Sequence, residues 1–494
     1  MRRNNDRFLN ILIALLFLTF LLLTDNIIAR GINDGSTYNP IVATFGKFKI
    51  FFAEYKAEYF EVLKQPEMYD SKKLRSEILD NLIINKLLSS EAIKMGLNRD
   101  EKLQLSITAF RDKCLRDAHF QKVIVPKIEI SDSEIRKVYA YEQGQRRVSH
   151  LFFNTESEAD SAYRLLKHGA SFKAMAKEIF SNDTALANSG GDLGWVYWDQ
   201  MDYNLAMAAF SLPLNTYSKP IKSQWGYHIL EVTGYRIDPL LSEYNYKVHK
   251  YKAKMMIEYQ LGEQIADEYI KKMLEKAKVV VSPKTLMFVK TALQNKFTRK
   301  PTKFDNMFPL HLNDKEIKIE ETSLWDARHD IMATINGKPY TIEDFIGELP
   351  YVPYEAIYND FFTSFNYAVR DFLLVKQAKK MGLGKDSGVK TNTELFSENM
   401  IALKLKKQLV ADVKVSESEI KKYYEENPNQ IKGAPYDMMR PIIEQQIKTT
   451  KQINVVPNYV KTMMGNMKIT KRLDIINKYY DNLYNGNIVD KGNL

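Results

Sequence analysis

Ser189-Gly190-Gly191-Asp192-Leu193-Gly194-Trp195 is the stretch on which the fold turns. Glycines packed this densely do not sit inside a stable helix or strand. They suit a loop whose backbone needs positive φ. On its N-terminal side, Ser181-Asn182-Asp183 leads into this loop from a helix expected over 171–180. A preceding helix is expected over 157–168, with Ala162, Leu165 and Leu166 on one side and Gly169 as its stop. Before that, Arg147-Val148-Ser149-His150-Leu151-Phe152-Phe153 reads as a strand. On the C-terminal side the spacing predicts a third helix over 201–212 and strands over 217–221 and 227–232, around Ser223-Gln224-Trp225-Gly226. The order β-α-α-α-β-β predicts a compact α+β domain.

The flanks of this module repeat each other. Val42-Ala43-Thr44-Phe45-Gly46-Lys47 matches Met332-Ala333-Thr334-Ile335-Asn336-Gly337-Lys338, each a short strand and tight turn before a helix. Leu74, Ile78, Leu79, Leu82, Ile83 and Leu87 then line one helix face, as do Phe361, Phe365, Ala368, Phe372 and Val375. Both helices end alike, in Lys94-Met95-Gly96-Leu97 and Lys380-Met381-Gly382-Leu383. A capping box follows in each copy, Ser131 with Glu134 and Ser416 with Glu419. The offset between copies holds to within one residue from the glycines to these serines. Each copy has a similar closing segment, near 269–274 in the first and 459–464 in the second. Only the first carries the inserted module.

Composition bounds the rest. The chain has 494 residues, 45% hydrophobic and 27% charged, which is the usage of a folded protein of several domains. Its one cysteine, Cys114, excludes an internal disulfide framework and a cysteine-based zinc site; it reads as a buried apolar residue. The net charge of +10 is spread along the chain, as on a solvated surface rather than a nucleic-acid-binding arm. Arg2, Arg3 and Arg7 precede an apolar run over 8–23, the pattern of an export signal. Cleavage and retention as an N-terminal anchor are both open.

The strand with His150, the stretch Gly169-Ala170-Ser171-Phe172, the glycine loop and Gly226-Tyr227-His228-Ile229-Leu230 together resemble the parvulin family of peptidyl-prolyl isomerases. The whole chain resembles the SurA and PrsA kind of exported chaperone. The resemblance implies an α+β, parvulin-like PpiC isomerase domain inserted in a mainly α-helical SurA-like chaperone domain, followed by a second helical chaperone-like repeat. The expected organisation is a signal peptide or membrane anchor over 1–30, a helical lobe over 31–144 and the isomerase over 145–236. A helical closure of the first lobe follows over 237–290, then a connector over 291–330 and a second lobe over 331–494.

The implied chemistry is rotation about X-Pro peptide bonds, whose barrier of about 18–20 kcal/mol comes from amide resonance. No bond is broken, so the site needs a slot for the proline ring and hydrogen bonds that favour the twisted amide. The resemblance places His150 and His228 as a facing pair. It puts Asp183 near the substrate carbonyl and Ser223 in a hydrogen bond with the histidines. Met201, Leu205 and Phe210 line the proline slot, with Trp225 at one wall. Leu205 stands where the family often has Phe, which implies a looser slot. Each residue also has a plain structural reading: a structural histidine, a helix cap or turn at Asp183 and Ser223, core filling at Met201, Leu205 and Phe210. No cofactor and no metal are expected, and the seven histidines lack metal-ligand spacing. The expected partners are unfolded polypeptide clients, with membrane association through the leader, no nucleic acid and an open oligomeric state. The expected location is the periplasm or the outer face of a bacterial inner membrane. The alternative is a holdase whose parvulin domain binds peptide without turning it over; retention of all four polar site residues favours the enzyme.

Overall fold

The computed structural model describes residues 39–63, 68–223, 226–237, 243–298, 300, 323–352, 354–431 and 433–484. The leader expected over 1–30, most of the connector and Trp225 lie outside them. Among the described residues no helix is long and apolar enough to cross a membrane.

The chain opens with the hairpin β1 (Ile41–Phe45) and β2 (Phe48–Phe51) and the helices α1 (Phe52–Leu63), α2 (Lys72–Lys94), α3 (Glu101–Val123) and α4 (Asp132–Glu142). The module follows: β3 (Gly144–Phe153), α5 (Glu156–Lys167), α6 (Phe172–Ile179), α7 (Thr184–Ser189), β4 (Asp192–Val196), α8 (Tyr203–Ser211), β5 (Thr216–Tyr217), β6 (Ile221–Ser223) and β7 (Gly226–Ile237). Next come the long helix α9 (Glu243–Glu275), β8 (Val279–Val281) and α10 (Pro283–Lys296). The second copy supplies β9 (Ile331–Ile335), β10 (Lys338–Thr341), α11 (Ile342–Glu348), α12 (Phe361–Lys380), α13 (Ser387–Ala411), α14 (Glu417–Glu426), α15 (Tyr436–Met464), β11 (Ile469–Lys471) and α16 (Leu473–Tyr484). The α+β module in a helical frame is as expected. The glycine-rich stretch is more ordered than a loop, because α7 and β4 form on either side of Gly190 and Gly191. The expected connector begins later than 291, since α10 runs to Lys296.

Local signals act as the sequence suggests. Ser131 and Ser416 each accept from the backbone N–H three residues on, and Glu134 and Glu419 reach back to complete both capping boxes. Gly96 and Gly382 both take φ of 76°, the left-handed conformation that ends α2 and α12. Cys114 is buried beside Leu115, Val375 and Ala378, and burial pushes its thiol up to about 12.

The chain forms two compact units, and they are not the lobes expected in chain order. One takes in 119–374. The other joins the described residues from 39 to 118 to those from 375 to 484. The closing segments have exchanged hairpins. β1 pairs with β11 (Ala43↔Lys471, Phe45↔Ile469), and β9 pairs with β8 (Ile335↔Val279, Ala333↔Val281). The expectation that 237–290 closes the first lobe is therefore corrected, as is that of a self-contained second lobe over 331–494. The physical reason is that both closing segments have one form, a three-residue strand followed by an amphipathic helix. A backbone ladder accepts either. Sequence pattern marks a closing segment but not the hairpin it joins.

In the split unit, Ile476 and Tyr480 of α16 are fully buried among Phe45, Phe52, Tyr55 and Tyr59. The Tyr480 and Tyr59 ring centroids lie 3.9 Å apart. Arg75, itself buried, pairs with Asp70 at 2.5 Å and with Asp481 at 2.6 Å and lies over the Tyr480 ring. In the continuous unit, Leu286, Val289 and Leu293 of α10 are the buried counterparts.

The exchange predicts a crossed pattern of damage. Tyr480→Ala should cost about 3–5 kcal/mol and raise deuterium uptake at 41–51 while sparing 331–341. Leu293→Ala should do the reverse. Closure in chain order would invert both results, and hydrogen exchange read by mass spectrometry decides between them.

Candidate active site

The site is built on the antiparallel pairing of β3 with β7, in which His150 lies opposite Leu230 and Phe152 opposite His228. Side chains alternate along a strand. Val148, His150 and Phe152 therefore share one face with His228 and Leu230, while Leu151 and Ile229 face the other way. The second face is covered by Ala162 and Leu166 of α5 and Phe172 and Ala176 of α6. The first is covered by Trp198, Met201 and α8, with Leu205, Ala206, Ala209 and Phe210 packed around Val148 and Leu230.

The imidazoles of His150 and His228 lie nearly parallel, 19° apart, with centroids separated by 5.9 Å. Phe180 stacks on His150 at 5.0 Å, and Phe152 lies 5.2 Å from His228. The glycine loop secures this corner: Gly191 accepts the His150 N–H at 2.9 Å. Gly191 has φ of 79°, and a Cβ there would overlap the His150 carbonyl oxygen. On the other strand, Ser223 faces Gly226 across the β6–β7 ladder. That turn brings the Ser223 hydroxyl to 2.9 Å from His228 Nε2.

Burial sets the charge of the pair. Loss of water holds His150 down at about 4 and His228 at about 3, and His150 depresses His228 further. Both rings are neutral near pH 7. Each keeps one buried nitrogen, Nε2 of His150 and Nδ1 of His228, without a hydrogen-bond partner among the described residues. A neutral imidazole offers one donor and one acceptor. The pair thus holds uncommitted hydrogen-bonding capacity on an otherwise apolar floor.

Asp183 caps α7, and its Oδ1 accepts from the Ala185 and Leu186 N–H groups at 3.1 Å each. Its own N–H donates to the Phe180 carbonyl at 2.7 Å, so it hangs from the turn that places Phe180 on His150. Met201 and Leu205 sit over the histidine-bearing face and are largely buried. Phe210 belongs to the same buried cluster. It packs against Tyr141 and Arg146 near the start of β3, and Arg146 donates to its carbonyl at 3.1 Å. Of the other module tryptophans, Trp195 lies under the Arg236 guanidinium at 3.9 Å and Trp198 is core. Phe152 and Phe180 were not among the expected site residues. The period-two alternation from His150 points to Phe152; nothing in the sequence marks Phe180.

The sheet that carries the histidine pair belongs to a domain of the parvulin-type isomerase class. Residues 134–236 match the family model described as PPIC-type PPIASE domain. The chain is 33% identical over 260 residues to the foldase protein PrsA of Bacillus subtilis, covering 52% of this chain and 82% of that one. It is 28% identical over 301 residues to the foldase protein PrsA of Caldanaerobacter subterraneus, covering 54% of this chain and 98% of that one. Among solved structures it is similar to PrsA from Bacillus subtilis, at 25% identity over 50% of this chain and 96% of that one, with a TM-score of 0.18. The chain belongs to the PrsA foldase family. It is a peptidyl-prolyl isomerase and folding chaperone that acts on unfolded polypeptides outside the cytoplasm.

The depressed histidines predict an acid-side loss of stability. Unfolded, each imidazole takes a proton near pH 6.5; folded, it resists protonation to about 4 or 3. The unfolded state then binds more protons, so stability is full above pH 6.5 and falls as pH drops through that window. Asp267, raised to about 6 by burial, acts in the opposite sense, so the comparison must be with variants. Chemical denaturation between pH 6.5 and about 4 should show the native chain losing about 1.4 kcal/mol per pH unit per histidine relative to His150→Gln/His228→Gln. Parallel curves would show that the pair is not held neutral.

Proposed function

We propose that the histidine-bearing face catalyses rotation about X-Pro bonds, with the proline ring held between Met201 and Leu205 and the amide set against His150, His228 and Ser223. The observation that carries this is the buried, uncharged histidine pair with its Ser223 hydrogen bond and two uncommitted nitrogens. A planar amide spreads its nitrogen lone pair into the carbonyl. Twisting by about 90° localises that pair and weakens the carbonyl dipole. A dry, neutral floor favours the less polar twisted amide over the planar one, which water solvates better. A nearby N–H donor stabilises the exposed lone pair. Charged imidazoles would attract water and undo both effects.

Asp183 takes two roles in this reading. Its Oδ1 holds α7, and its carboxylate acts on the substrate carbonyl side. The module over 145–236 is the isomerase, and the helical units hold the unfolded chain through apolar contact area. The leader over 1–30 exports the chain, which then works in the periplasm or on the outer face of the inner membrane.

Isomerisation of short X-Pro peptides by the full chain, followed without a coupling protease, tests the assignment. His228→Ala, which strands the Ser223 hydroxyl, and His150→Ala, which removes an uncommitted ring nitrogen, should each lower kcat/KM by about tenfold or more. Asp183→Asn keeps the cap and should lower activity with an unchanged melting temperature. Asp183→Ala should lose about 1 kcal/mol of stability as well. Full activity per folded molecule in both histidine variants would overturn the reading.

A further inference from the structure

We propose that Gln260 and Gln264 of α9 are positioning residues for the isomerase, clamping the Met201–Asp202 corner, so that the proline slot is built jointly by the module and the helix outside it. This rests on the reading of Met201 and Leu205 as slot residues. Gln260 Nε2 donates to the Met201 carbonyl at 3.3 Å, and Gln264 Nε2 donates to Asp202 Oδ2 at 3.2 Å. The two glutamines are one helical turn apart and reach two consecutive residues, which fixes both the position and the tilt of that corner. Asp202 passes the constraint on. Its Oδ1 caps α8, accepting from the Asn204 and Leu205 N–H groups at 2.9 and 3.3 Å. The start of the helix carrying Leu205 is thus aimed by α9 through a single carboxylate.

The same face of α9 completes the core behind the slot. Tyr246, Ala253 and Ile257 are buried in one cluster with Met201, Leu205 and Leu230. Gln260 is only 5% exposed, and its Oε1 has no hydrogen-bond partner among the described residues. A buried amide with one group unsatisfied costs the fold free energy. An apolar side chain of equal length would fill this place with no orphan of its own. Its presence is explained by the hydrogen bond it donates to Met201.

The test uses the full chain and three substitutions: Gln260→Met, Gln264→Met and Gln264→Lys. Each methionine keeps volume and removes the donor; the lysine restores a donor to Asp202. The probes are a short X-Pro peptide and its analogue with the six-membered pipecolyl ring. Both methionine variants should lower kcat/KM for proline by at least about fivefold, as a loosened reacting geometry does. Their preference for proline over pipecolyl should also relax, with the melting temperature of Gln260→Met unchanged. Gln264→Lys should regain the preference. His228→Ala is run alongside. If it abolishes turnover while both methionine variants match the native chain, the clamp is wrong and the slot reading stands. If it leaves turnover intact, the slot reading fails and takes the clamp with it. If the methionine variants lose activity and melting temperature together at unchanged ring preference, the glutamines are merely structural and the proposal is overturned.

Discussion

The pairing of β3 with β7 is the constraint on which the rest of the site depends. Ten residues of β3 are matched along β7, and the register sets His150 and His228 on the same face two rungs apart. A slip of one residue would turn one histidine toward α5 and α6, where Leu151 and Ile229 now pack. The ladder is held at one end by the Ser223–Gly226 turn and at the other by the helical frame that begins before Gly144. Everything chemical at the site follows from that register. The rings stack because their strands are neighbours. They stay neutral because the sheet face is covered, and Ser223 meets His228 because β6 folds back on β7.

Neutrality is a consequence of packing rather than of residue type. Histidine titrates near neutral pH when exposed. Burying the pair, with Phe180 stacked on His150, moves its protonation well below that range. In the proposed reading the same apolar face receives the proline ring, so that one arrangement serves both the electrostatics and the binding.

The frame shows a different economy. Two copies of one helical repeat supply two hairpins and two closing segments, and each hairpin is completed by the other copy's segment. Neither unit is a contiguous stretch of a single copy. The tandem copies are thus covalently joined and also structurally dependent on each other. Arg75 from the first copy and Asp481 from the second form part of one network with Tyr59 and Tyr480. Removing the second copy would remove the strand that completes the first hairpin.

Much of this was legible in residue order. The glycine loop, the strand alternation around His150 and His228, the capping boxes at Ser131 and Ser416 and the glycine stops at Gly96 and Gly382 are local signals, and local backbone chemistry reads them directly. Short-range pattern also marked the helices of the module, to within a residue or two at their ends. It missed α7 and β4, because Asp183 as a cap and Asp192 as a strand start look like ordinary loop residues until the sheet forms beside them. Which hairpin each closing segment joins was decided only in three dimensions, since both segments share one backbone form and the choice depends on side chains such as Tyr480 meeting Tyr59 across the chain. How Met201, Leu205 and Phe210 gather into one buried cluster was decided there too, because Met201 lies before the helix that carries the other two. Sequence determined the parts and their local conformation, where neighbours along the chain supply the forces. Tertiary structure decided charge, partner and site boundary, because desolvation and long-range contacts exist only once the chain has closed.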